Sequence, residues 1–293
     1  MIRFSTQQKV TALVLAASAA LTAALAAESP APAAPAAPAT EEKMIAVNVP
    51  ASPPKEYVIP KKGVSDAIRK AVENPARRPE DRARDGYRKP AEVLALIDIK
   101  PGKKVLEFGS FGELDRFGQY YTTMLADVVG PKGMVYMYDP LEVDQQFGVN
   151  SRLFAKSRPN VKYEAVNFDK IQLPRGIDIA FSVLFYHEML MRGVDMTVFH
   201  DKLFKALKPG GIYLVIDHAG VIGEDMKYTL PNHRIDPSVV RSGIQAAGFE
   251  NVFPQDLRLL ERTDDDKKWT IYTEGKADQT DQMVYMFRKP IVY

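Results

Sequence analysis

From residue 63 onward, short apolar runs alternate with stretches of helical spacing, and this alternation restricts the fold more than any other feature. The runs are Lys104–Phe108, Met134–Tyr138, Val161–Asn167, Ile177–Leu184 and Ile212–Ile216. Helical stretches follow at about 119–129, 143–157 and 195–207. In the last of these Met196, Phe199, Leu203, Phe204 and Leu207 share one face, as a helix lying on a core requires. Asp236-Pro237 is an N-cap followed by a first-turn proline, which predicts a helix to about Ala247 that Gly248 ends. Earlier helices are expected over Gly63–Asn74 and Arg78–Leu96, the second restarted at Pro90. Further strands are expected near Asn251–Phe253 and Gln282–Phe287. Strands joined through helices imply right-handed crossovers and a mostly parallel sheet covered on both faces. The fold class is therefore α/β, doubly wound and Rossmann-like. Ligands of such sheets bind outside the carboxyl ends of the strands.

The first 62 residues belong to another regime. Arg3 and Lys9 precede an apolar run, Val10–Ala27, and Ala24-Leu25-Ala26 has the small-x-small form of a signal-peptidase site. These features predict a signal peptide over 1–26 and an exported, periplasmic protein. The alternative is an uncleaved membrane anchor, for which the run is short against the ~20 residues of a span. Residues 30–39 are all Pro or Ala, and Pro50, Pro53, Pro54 and Pro60 follow. Such a stretch favours extended spacing, so 27–62 reads as a linker and 63–293 as the folded domain.

Composition excludes several chemistries. The chain has no cysteine, which removes disulfides, thiol nucleophiles and thiolate metal sites. Six of the 39 basic and four of the 37 acidic residues fall within 1–62, which leaves 33 of each in the domain. A neutral domain lacks the basic footprint of a nucleic-acid binder.

Several segments at the strand ends carry a family likeness. They are Arg88-Lys89-Pro90-Ala91-Glu92-Val93-Leu94, Ile99-Lys100-Pro101-Gly102 running on to Lys104-Val105-Leu106-Glu107-Phe108-Gly109, and Val129-Gly130-Pro131-Lys132-Gly133. Phe185-Tyr186-His187-Glu188, Leu207-Lys208-Pro209-Gly210-Gly211, Val215-Ile216-Asp217-His218 and His233-Arg234-Ile235-Asp236 complete the set. With them the chain resembles class I S-adenosylmethionine-dependent methyltransferases, in particular predicted bacterial ones that carry signal peptides. The resemblance covers roughly Arg78 to Pro290. It implies a seven-stranded sheet with an antiparallel last strand, S-adenosylmethionine as cofactor, and methyl transfer to a small-molecule or unknown acceptor.

The resemblance also assigns cofactor residues. Glu107, Gly109 and Gly112 stand in the first strand-to-helix turn, which lies against the methionine part of the cofactor. Asp139 ends the second strand and accepts from the ribose hydroxyls. Asp169 follows the third strand and accepts from the adenine amino group. The turn departs from the family pattern, because Phe111 stands where a glycine is expected and the loop is longer. Read as residues alone, the glycines suit an ordinary turn and Asp139 a helix N-cap. A Rossmann dehydrogenase would also carry an acid after its second strand.

Three of the four histidines, His187, His218 and His233, fall at the carboxyl edge of the expected sheet, with Glu188, Asp217 and Asp236 beside them. Imidazoles beside carboxylates suit proton transfer near neutral pH, and the three are the candidate catalytic residues, the alternative being a hydrogen-bonded structural role for each. Their spacing matches no zinc signature, and no metal is assigned. His200, on the amphipathic helix, reads as a surface residue. Arg84 and Arg88, ahead of the first strand, suit either a carboxylate partner or a solvated helix face. The competing functions are a noncatalytic binding domain outside the cytoplasm and a metal-assisted hydrolase.

Overall fold

The computed structural model describes residues 55–111, 118–253, 258–263, 265–273, 276 and 278–291. The expected signal peptide, most of the linker and Gly112 lie outside the described residues. Among the described residues no helix is long and apolar enough to cross a membrane.

Among the described residues four helices precede the sheet: α1 (Asp66–Val72), α2 (Pro79–Ala83), α3 (Asp85–Arg88) and α4 (Pro90–Leu96). Ser65 caps α1 by accepting from the Ile68 amide. Pro90 opens α4 after Lys89 takes a left-handed conformation, so the restart at this proline is a change of direction between two helices. Tyr57 and Ile59, at the end of the expected linker, pack against the core. Tyr57 Oη donates to Glu92 and accepts from the Ala91 amide at 3.1 Å.

The sheet follows as β1 (Lys104–Phe108), β2 (Met134–Pro140), β3 (Val161–Val166), β4 (Ile177–Val183), β5 (Leu207–His218), β6 (Glu250–Asn251) and β7 (Gln282–Arg288). The strand order is β3-β2-β1-β4-β5-β7-β6. β1 to β5 pair in parallel, and β7 runs against both its neighbours. This is the seven-stranded arrangement that the resemblance implies. The order reverses between β1 and β4, which makes the crevice at their carboxyl ends the topological switch point.

Helices α5 (Tyr120–Val129), α6 (Leu141–Ser157), α7 (Tyr186–Met191), α8 (Met196–Ala206), α9 (Met226–Thr229) and α10 (Pro237–Ala246) complete the fold. Strand side chains alternate between two core layers. Val105, Ile179, Phe181, Leu214 and Ile216 pack with α1, α4 and α5. Leu106, Phe108, Ala180, Tyr213 and Val215 pack with α8 and α10. Asp195 caps α8, accepting from the Thr197 and Val198 amides. Asp236 caps α10 by accepting from the Ser238 amide at 2.7 Å.

Two expectations are corrected. β5 begins at Leu207 and so contains the Lys-Pro-Gly-Gly turn, because Leu207 pairs with Ile177 before the register shifts. His200 is 1% exposed. It stacks on Tyr186 with ring centroids 5.7 Å apart, and burial lowers its pKa to about 4.

Candidate functional site

At the switch point, Gly109 leaves β1 with φ +73°. A Cβ there would lie 2.3 Å from Phe185 Cγ, so the Phe185 ring packs directly on the turn. Phe111 meets Phe185 edge to face, with centroids 5.9 Å apart. The bulky residue in the glycine turn is thus part of an aromatic wall. Glu107 is 5% exposed, and its Oε2 has no hydrogen-bond partner. Burial pushes its carboxyl up to about 8, opposed by the Thr122 hydroxyl and reinforced by the charge of Asp139.

Asp139, at the tip of β2, is fully buried. The Ser110 amide donates to its Oδ1 at 2.8 Å, and Ser110 Oγ lies 3.1 Å and 3.3 Å from its two oxygens. Ser151 Oγ donates to Oδ2 at 3.3 Å and accepts from Gln119 Nε2 at 2.9 Å. Burial raises this carboxyl to about 6 against the lowering effect of the Ser110 and Ser151 bonds. Asp169 is exposed and accepts from the Asp195 amide at 3.2 Å, so it also ties the entry of α8 to the end of β3. Ser110, Ser151 and Gln119 were not singled out by sequence reasoning. Nothing in their spacing signals that they converge on Asp139.

The second half of the site gathers the histidines. His187 lies at the start of α7, just past β4, and His218 ends β5. Their ring centroids are 5.6 Å apart, and His187 is 5.4 Å from His233. His233 arrives from the loop after α9 in a left-handed conformation, φ 54°. Its segment is stitched alongside the end of β5: the Ile235 amide donates to His218 O at 3.0 Å, and the Gly220 amide to Ile235 O at 2.8 Å.

Asp217, fully buried, is the hub. Its Oδ1 lies 2.7 Å from His187 Nδ1 and accepts from the His218 amide at 2.8 Å. Its Oδ2 accepts from the His187 amide at 2.8 Å. Glu188 Oε1 stands 3.5 Å from His187 Nε2 and 2.9 Å from His233 Nδ1, while Arg192 holds Oε2. Burial disfavours a charge on His187, but Asp217 and then Glu188 outweigh it and raise the imidazole to about 10. Burial raises Glu188 less than His187, His233 and Arg192 lower it, so it stays ionised. His218 lies within 2.5 Å of Thr280 Oγ1 through Nδ1. Burial and the charges of His187 and Arg234 hold it neutral.

Arg84 and Arg88 meet a carboxylate within the chain. Arg84 Nε donates to Asp278 at 2.6 Å and Arg88 Nε at 2.9 Å. Tyr120, Tyr121 and Tyr186 are buried.

No family model matches the chain. Over 185 residues, 58% of this chain, it is 26% identical to phosphoethanolamine N-methyltransferase of Triticum aestivum. The match spans 34% of that protein, so the chain covers about a third of the relative's length. Among solved structures, an S-adenosylmethionine-dependent methyltransferase from Aquifex aeolicus is 20% identical, with TM-score 0.48, covering 75% of this chain and 96% of that one. A putative sarcosine dimethylglycine methyltransferase from Galdieria sulphuraria is 16% identical, with TM-score 0.49, covering 71% and 86%.

Proposed function

We propose that the chain is an S-adenosylmethionine-dependent methyltransferase whose cofactor lies across the carboxyl ends of β1 and β2. The observation that carries this reading is Asp139. It is a buried carboxylate beside the switch point, fixed by the Ser110 amide at 2.8 Å. The longer serine hydroxyl contacts are the ones that two ribose hydroxyls replace. Gly109 supplies the tight turn, and Glu107, with Oε2 unpaired, offers a hydrogen-bonding group toward the methionine part. Asp169 lies at the rim, toward the adenine. The cofactor supplies an electrophilic methyl group. The protein's work is to position the acceptor in line and to exclude water. The acceptor is a small molecule approaching from the histidine side, where His218, with its ring 5.6 Å from that of His187, is the candidate base.

Calorimetric titration with S-adenosylhomocysteine tests this. The wild-type protein is expected to bind, and Asp139→Ala to lose about 1.5–3 kcal/mol, the range of charge-assisted hydrogen bonds, or roughly tenfold or more in affinity. A folded wild type that ignores millimolar ligand favours the noncatalytic binding domain instead.

The same reading places the protein in the periplasm, on the strength of Arg3, Lys9, the run Val10–Ala27 and Ala24-Leu25-Ala26. Mass spectrometry of the native protein is expected to find an N-terminus near Ala27. A cytoplasmic form that retains Met1 overturns export.

A further inference from the structure

His187, Glu188 and His233 bring three potential ligand atoms within 4.8 Å of one another. We infer that they form a binding site for a borderline divalent cation, of which zinc is the type, oriented by Asp217 from behind. The inference stands apart from the methyl-transfer reading.

The donor set is the first argument. Two imidazoles and one carboxylate, with no thiolate, suit zinc and the first-row transition ions rather than calcium or magnesium. Three protein ligands leave a coordination position open, the pattern of catalytic rather than structural sites. Two ligands ~2.1 Å from a tetrahedral ion sit about 3.4 Å apart. The 3.5 Å between His187 Nε2 and Glu188 Oε1 is close to that separation.

The second argument is an orphan. His187 is 1% exposed and its Nε2 has no hydrogen-bond partner. The Glu188 oxygen it faces is too distant to accept. His233 Nδ1 lies 2.9 Å from the same oxygen, yet it too lacks an aligned bond. Both nitrogens lie beside the same carboxylate oxygen, at 3.5 Å and 2.9 Å, without the alignment of a full hydrogen bond. A buried polar atom left in this way costs about 1–3 kcal/mol unless something else satisfies it.

The third argument is the outer layer. His187 Nδ1 is 2.7 Å from Asp217 Oδ1, the carboxylate–imidazole pairing that orients metal-bound histidines and strengthens their basicity. Asp217 is itself fixed by two backbone amides. Arg192 ties up Glu188 Oε2 and leaves Oε1 as a single donor toward the imidazoles. Access is from the side of Glu188 and His233, whose side chains are 14% and 16% exposed.

The test uses tag-free protein stripped with a chelator and then titrated with zinc, with bound metal counted by mass spectrometry. One zinc per chain is expected, with a melting temperature that rises with zinc concentration. Glu188→Gln and His233→Ala, both partly exposed, should each weaken binding by about 100-fold or more while melting near the wild-type temperature without metal. Asp217→Asn should weaken it roughly 10–100-fold, as loss of an orienting partner does. If folded wild type takes up no zinc, or if zinc uptake is unchanged in both Glu188→Gln and His233→Ala, the inference fails. Neither result depends on S-adenosylhomocysteine binding, so failure here leaves the cofactor reading to its own titration.

Discussion

Arg234→Met is expected to lower the free energy of unfolding by about 3–5 kcal/mol, the usual cost of stripping one partner from a buried ion pair. The Arg234 side chain is 1% exposed, as is that of Asp265. The guanidinium donates to both carboxylate oxygens, at 2.8 Å and 3.1 Å. It also reaches Ala219 O and Trp269 O, each at 3.1 Å, and stacks 4.6 Å from the Trp269 ring. One side chain thus ties the end of β5 to the segment around residues 265–269. Methionine fills much of the volume but leaves Asp265 charged, buried and short of donors. Asp265→Leu added to Arg234→Met removes that orphaned charge, yet recovers only part of the loss. The amides of Lys267 and Asp281, now bonded to Asp265 at 2.8 Å and 2.6 Å, lose their acceptor. Denaturant unfolding of the wild type and the two variants measures this directly. A single-mutant loss below about 1 kcal/mol, the value of an exposed pair, would mean the clamp carries little. Because His233 precedes Arg234 and holds a left-handed conformation, Arg234→Met should also loosen the histidine cluster.

The sheet was legible because its signals are local. Apolar runs such as Lys104–Phe108 and the caps Asp195 and Asp236 depend on neighbours a few residues away. Parallel topology then brings His187 and His218 to one edge without further information. What remained hidden depends on long-range partners. His200 sits beside the apolar stripe of α8, and it is buried because α10 approaches with Gly243, whose added Cβ would come 3.9 Å from His200 Cε1. Arg84 and Arg88 find Asp278 some 190 residues later. The convergence of His233 on Glu188 follows from a loop folded back along β5 by the Ala219–Ile235 bridge, which no spacing rule foretells. The glycine turn was the reverse case. The sequence marked Phe111 as a departure from the family pattern, and in the fold that side chain packs on Phe185.

Gly109→Ala is expected to cost about 2–5 kcal/mol of stability. Two terms contribute. A residue with a Cβ pays about 1–2 kcal/mol to enter the left-handed region, where Gly109 sits at φ +73°. Overfilling a packed site adds about 1–3 kcal/mol, because the new Cβ would come 2.3 Å from Phe185 Cγ and 2.7 Å from its Cβ. Phe185 is 1% exposed, and contact with the Phe168 and Phe111 rings restrains it. Phe185→Ala alone should cost about 3–5 kcal/mol through the cavity it leaves. Combined with Gly109→Ala it should cost less than the sum, since the added methyl then meets space rather than a ring. Strict additivity in denaturant unfolding, or a Gly109→Ala loss under about 1 kcal/mol, the floor of the backbone term, would mean the ring moves aside freely. Both terms act without any ligand, so this glycine is required by the turn itself, and its presence does not speak for a cofactor. The proposed cofactor role rests instead on Asp139, whose carboxylate also joins the first turn to Ser151, and titration with S-adenosylhomocysteine is the measurement on which that assignment turns.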